Sequence, residues 1–173
     1  GQIGSVNTSV MYDNMINKFK WESIRNPKIY YDETNIRMTM NLRNNFARLA
    51  NALIDEGKRD SAIKVLDFCM EVMPDATVPY NMFVMPLAEA YYKAGLKNKA
   101  NQILNRLLDI SDKELKYYFR FTSSKANTLE YDKRQNLSVI NRISEIAEQY
   151  KDVAVSKKSK DIFNRYYQLY IQT

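Results

Sequence analysis

Histidine is absent from the 173 residues, and Cys69 is the only cysteine. A Ser-His-Asp triad, a Cys-His pair, histidine-ligated metals and any internal disulfide are therefore excluded. Carboxylates are what remains for acid–base work, and the adjacent pairs are Asp32-Glu33 and Asp55-Glu56. Neighbouring side chains on a helix do not face each other, whereas two carboxylates acting on one bond must. Both pairs fall at predicted helix ends or connectors, where acids cap or stay solvated. No catalytic residue is assigned. No phosphate loop, dinucleotide fingerprint or calcium loop occurs, so neither metal nor cofactor is expected. Cys69 sits in the apolar run KVLDFCMEVM and reads as a small buried hydrophobe rather than a reactive thiol.

The elements that would have to position any site read as helices. Apolar residues make up 45% of the chain, enough for a sizeable core, and there are only four glycines and four prolines. So few turn formers do not suit a many-stranded β protein. The net charge is +6, and it is uneven: residues 1–86 hold ten basic and ten acidic side chains, residues 87–173 sixteen and ten. The basic groups cluster at Lys113, Lys116, Arg120 and Lys125, and again at Lys151, Lys157, Lys158 and Lys160. Such a field steers acidic partners or anionic surfaces, or simply keeps a face solvated. No apolar run approaches the ~18 residues that cross a bilayer. The opening GQIGS lacks an initiator methionine, so Gly1 reads as a cloning remnant ahead of an excised fragment.

Residues 8–21 predict a short helix capped by Thr8, with Met11, Met15, Ile16 and Phe19 at helical spacing. A connector around Pro27 follows, and Asp32 or Thr34 caps a helix running to Glu56. Residues 46–74 and 84–112 then superpose without gaps, at a period of 38 residues. Leu49-Ala50 matches Leu87-Ala88, Ala52 matches Ala90, and Leu53 matches Tyr91. Gly57 matches Gly95, Ala62 matches Ala100, Leu66 matches Leu104, and Cys69 matches Leu107. Small residues allow two helices to approach, and each glycine ends a first helix in the left-handed conformation.

Phe46, Leu49, Ala50, Leu53, Gly57, Ala62, Leu66 and Pro74 resemble the tetratricopeptide (TPR) signature at its own spacing. The second unit departs from it with Val84 and Asp112, and about four extra residues fall in PDATVPY relative to the family period of about 34. The resemblance implies an all-α, right-handed helical-hairpin solenoid with terminal capping helices. Residues 1–34 form an N-terminal helix and connector, 35–76 and 77–112 two TPR-like units, and 113–173 a degenerate third pair plus a capping helix, all as one structural domain. The second unit's first helix starts either at Pro86 or near Pro79 with a kink at Pro86, and the apolar spacing of NMFVMPLAEAYY favours the earlier start, capped by Thr77. Ser111 and Glu114 suggest a capping box opening the next helix. TSSKAN interrupts it, a long helix spans about 127–150, KDVAVSKKSK is a connector, and DIFNRYYQLYIQ is the terminal helix.

YDNMINKFKW, IYYDETNIRM, FARLANALIDEGKRDSAIKVLD and VPYNMFVMPLAEAYYKAG are similar to the C-terminal region of a Bacteroidetes family of multi-spanning, protein-O-mannosyltransferase-like membrane proteins. That similarity implies a soluble fragment behind a membrane-anchored part, on the periplasmic side of the inner membrane. Glycosyltransferase-like chemistry would belong to the absent part, not to this chain.

In stacked hairpins the first helices line the surface that holds a peptide or a partner's helix. The corresponding rows are Asn44, Arg48, Asn51 and Asp55 in unit one and Met82, Met85, Glu89 and Tyr92 in unit two. The expected function is a non-catalytic protein–protein interaction module taking a protein or peptide. The alternative is a glycan, lipid-linked sugar or anionic membrane surface held by the Tyr-rich basic half, with Tyr117, Tyr118, Tyr166, Tyr167 and Tyr170 available for stacking. No nucleic-acid partner is expected, since no recognised motif for one occurs.

Overall fold

The computed structural model describes residues 5–121 and 128–172, and among them all regular structure is helical. The chain divides into two compact units, Gly1–Ala100 and Asn101–Thr173. In the first, α1 (Thr8–Tyr12) runs into a π-helical stretch (Asp13–Lys18), followed by α2 (Glu22–Arg25), α3 (Glu33–Asp55), α4 (Arg59–Val72), a 3-10 turn (Met82–Val84) and α5 (Met85–Lys93). α6 (Lys97–Tyr118) starts in the first unit and lies mostly in the second, which also holds α7 (Glu130–Gln149) and α8 (Val153–Tyr170). The predicted interruption at TSSKAN falls on residues 122–127, outside the described residues.

The core of the first unit grows from the small-and-large pattern of α3 and α4. Phe46, Leu49 and Ala50 meet Ala62, Val65, Leu66 and Cys69, all fully buried. Trp21 packs on Phe46 with ring centroids 5.3 Å apart, and its indole Nε1 donates to the Met15 carbonyl at 2.8 Å. That carbonyl lies near the end of the π turn, where helical partners run out. The predicted helix over 8–21 is helical over 8–18, changing from α to π at Asp13, and it ends before Phe19. Its cap is Asn7, whose Oδ1 accepts from Val10 N–H at 3.1 Å, not Thr8. Thr8 instead donates its hydroxyl proton to the Glu56 carboxylate, 2.9 Å away at the nearer oxygen. Asp32 caps α3, its Oδ1 accepting from Asn35 N–H at 2.8 Å.

Three bends share one backbone device. At Gly57, the glycine N–H bonds to Ile54 O at 2.9 Å and the next N–H, of Lys58, reaches back to Leu53 O at 2.8 Å. Gly95 and Leu96 repeat the pair on Tyr92 O and Tyr91 O, and Lys151 and Asp152 repeat it on Glu148 O and Ala147 O. The pattern needs a left-handed residue at the bend. Gly57 and Gly95 take φ 75°, and Lys151 takes φ 54°. Five positions beyond each bend stands a buried small residue: Ala62, Ala100 and Ser156.

Several predicted boundaries are corrected. α5 does not start near Pro79 under a Thr77 cap. Asn81 Oδ1 accepts from Phe83 N–H, and the α-helix begins at Met85. Pro86 then falls in the first turn, the one place where its missing N–H costs no helical bond. No helix opens at Ser111–Glu114, because α6 runs through both. Ser111 lies buried in line with Leu104, Leu107, Leu108 and Leu115, and no glycine or proline interrupts that face. KDVAVSKKSK is not a connector, since α8 is helical from Val153 under an Asp152 cap. The hairpin of the second unit joins α7 to α8, with Ile140, Ile143 and Ala147 among the buried residues of α7 and Val155, Ser159, Ile162 and Tyr166 among those of α8.

Candidate functional site

The α3 row of Asn44, Arg48, Asn51 and Asp55 is only partly held by internal bonds. Asn51 donates to Ala47 O at 2.9 Å and accepts from Lys93 Nζ at 2.8 Å, which ties α3 to α5. Asn44 and Arg48 are half-buried, and Asp55 is exposed. On the other row, Met82 is 48% exposed and Glu89 half-buried, but Met85 and Tyr92 are buried. The reason lies in the start of α5. Met85, Ala88 and Tyr92 follow one another at helical spacing on its packed face, while Met82 belongs to the 3-10 turn before it.

Arg48 opens onto a groove of about 410 Å³ between the N-terminal segment and α3. Met11, Phe19 and Trp21 line it from the segment, and Leu42, Asn45 and Arg48 from α3. Phe19 is 53% exposed while Trp21 is 6% exposed, so one ring offers its surface and the other forms a wall. No acidic side chain lines the groove, and Arg48 is the one charge in it among the described residues. Sequence reasoning singled out Arg48 but neither Asn45 nor the two aromatics. The available signal was the sole tryptophan, two residues beyond Phe19 at the end of an amphipathic run.

A second arginine was missed altogether. Arg43 is completely buried, and its guanidinium donates to Met73 O and Pro79 O at 3.0 Å each and to Val78 O. It lies 5.0 Å from the Tyr80 ring centroid, and its Nε has no partner. Burial lowers its pKa. This side chain holds the PDATVPY insertion against α3 by satisfying carbonyls that no helix or strand uses. It stands three residues after Met40 and three before Phe46, on the core face of α3.

The remaining chemistry-bearing groups are tied into structure. Asp32 is a cap, Glu33 and Asp55 are exposed, and Glu56 holds Lys58 and Thr8, the former first in keeping its pKa below the ordinary value. Burial pushes the Cys69 thiol well up, away from thiolate. Among the described residues, no group of His, Cys, Asp and Glu is arranged to hold a metal ion, and no helix is long and apolar enough to cross a membrane. Of the basic residues in the second unit, Lys158 pairs with Asp109, Lys160 with Glu148 and Arg165 with Asp112. Among its tyrosines, Tyr117 and Tyr167 are exposed, Tyr166 is buried with its hydroxyl on Asp112 O, and Tyr170 bonds Glu130. No protein-family model, curated protein or solved structure matches this chain.

Proposed function

We propose that the chain is a non-catalytic, TPR-like interaction module, a right-handed array of helical hairpins that takes a protein or peptide on the surface of α3 and α5. The observation that carries this reading is the recurrence of one bend at Gly57, Gly95 and Lys151, each with the same pair of hydrogen bonds and each followed at the same offset by a buried small residue. Recurrent hairpins of this kind stack through neighbours and leave their first helices as an extended surface. Arg48 and Met82 supply that surface with a cation and an exposed adaptable side chain. The similarity of YDNMINKFKW and FARLANALIDEGKRDSAIKVLD to a membrane-anchored, glycosyltransferase-like family supports a periplasmic parent that uses this module to hold another protein.

The test is partner capture by the intact parent protein carrying Arg48→Glu with Asn51→Asp. Capture falls to background while the far-UV circular dichroism of the isolated chain stays helical. Undiminished capture by the folded double variant would remove the α3 surface from the function.

A further inference from the structure

We propose that the groove between the N-terminal segment and α3 binds an extended apolar peptide segment carrying one acidic side chain, with Arg48 as its counter-charge. The inference rests on the reading of the chain as an interaction module and narrows it to one site and one ligand chemistry.

Three features of the groove select this occupant. First, the walls are apolar and adaptable, with Met11, Leu42 and the exposed Phe19 facing open space of about 410 Å³. That volume lies within the range of pockets that enclose small ligands or a few side chains. Second, Asn14 and Asn45 line it, and neither side chain is committed to a bond with the described residues. A primary amide presents a donor beside an acceptor, as a peptide backbone does, so a pair of them suits an extended main chain better than an alkyl tail. Third, Arg48 makes no hydrogen bond or ion pair among the described residues. Asp13, the acid within the helical part of the segment, is already held by Lys18 at 2.6 Å and by Asn17 at 3.0 Å. A half-buried guanidinium beside apolar walls is a ready receptor for a carboxylate, which it can take in a two-pronged bond. Complementarity therefore demands a negative charge on the ligand, and the amides demand a backbone around it.

Trp21 makes the groove its own reporter, because it is the only tryptophan and lines the groove. The probe is the acetylated, amidated pentapeptide Leu-Phe-Glu-Leu-Leu, with its Gln counterpart as control, titrated against the full chain. The Glu peptide should shift Trp21 emission saturably, with the Gln peptide at least about tenfold weaker. Arg48→Gln should erase that difference, and Arg48→Lys should restore part of it. Equal binding of both peptides overturns the proposal. So does saturable binding of decanoate with no peptide effect, which would mark a site for small amphiphiles. A dimer that Arg48→Glu dissociates, with no peptide response, overturns it in favour of a second copy of the chain. Partner capture that Met82→Glu abolishes, with Trp21 silent to the peptide, ends the groove assignment and leaves the module reading standing. A peptide response with capture indifferent to Arg48→Glu and Asn51→Asp does the reverse.

Discussion

Arg59, the first residue of α4, donates from Nε to the carbonyl oxygen of Ala94 at 2.6 Å, so the start of α4 caps the C-terminal end of α5. Ala94 stands immediately before the left-handed Gly95, where α5 ends and a free carbonyl needs a donor. The bend at Gly95 is thus supported from outside itself. Nearby, Asp67 on α4 accepts from the Tyr91 hydroxyl of α5 at 2.8 Å and from Lys99 Nζ at 2.6 Å, binding the same elements a second time.

The two glycine bends should respond differently to alanine. At Gly57 an added Cβ meets nothing within 4 Å, so Gly57→Ala costs only the left-handed backbone, about 1 kcal/mol. At Gly95 the new methyl would stand 3.0 Å from Arg59 Nη2. The guanidinium must give by a few tenths of an ångström, which strains its bond to Ala94, so Gly95→Ala should cost more than Gly57→Ala, about 1.5–2 kcal/mol. Urea denaturation measures both, and in an Arg59→Ala background the two losses should converge.

The third bend is strained in the opposite sense. Lys151 is exposed and holds φ 54°, a conformation in which its Cβ is unfavourable. Lys151→Gly should stabilise the α7–α8 hairpin by about 0.5–1 kcal/mol after the extra entropy of an unfolded glycine is deducted. Slower amide exchange in α7 and α8 would register the gain, and faster exchange would contradict it.

Arg43 should tolerate no substitution by a side chain that cannot reach three carbonyls. Arg43→Met leaves the Met73, Val78 and Pro79 oxygens without their donor and should cost about 3 kcal/mol. Arg43→Lys should recover little, since one ammonium cannot span the fork's positions. Denaturant midpoints give the loss, and accelerated exchange at the Val78 amide would locate it in the connector.

Stability should decline at alkaline pH. Burial raises the Cys69 thiol from its ordinary value of 9.0, and burial followed by the bond to Asp67 raises the Tyr91 hydroxyl from 10.0. Below pH 9 both are protonated whether the chain is folded or not, and their contribution is fully present. Above pH 9 the unfolded chain releases the thiol proton, and above pH 10 the phenol proton, while the folded chain retains both. The fold then binds more protons than the unfolded state, and stability falls by up to about 1.4 kcal/mol per pH unit for each group. Urea midpoints from pH 8 to 11 should fall less steeply in Cys69→Ala and in Tyr91→Phe.

The amino-acid sequence by itself determined the helical class and the two glycine bends. A left-handed turn between apolar periodic segments leaves a local mark, and Gly57 and Gly95 carry it with Ala62 and Ala100 at a fixed distance. It did not disclose the third bend, because Lys151 takes the glycine's conformation without being glycine. That position is enforced by the packing of α7 on α8, which no local pattern records. Arg43 shows the same division. Among Asn41, Asn44, Asn45 and Arg48 it reads as one more solvated polar residue, and only the folded connector supplies the carbonyls that draw it inside. Arg48 could be placed on a helix face from spacing alone. That it opens onto a groove beside Phe19 and Trp21 was decided by the tertiary structure, since the N-terminal segment reaches α3 through the Thr8–Glu56 bond and the Trp21–Phe46 contact, each spanning at least 25 residues of chain.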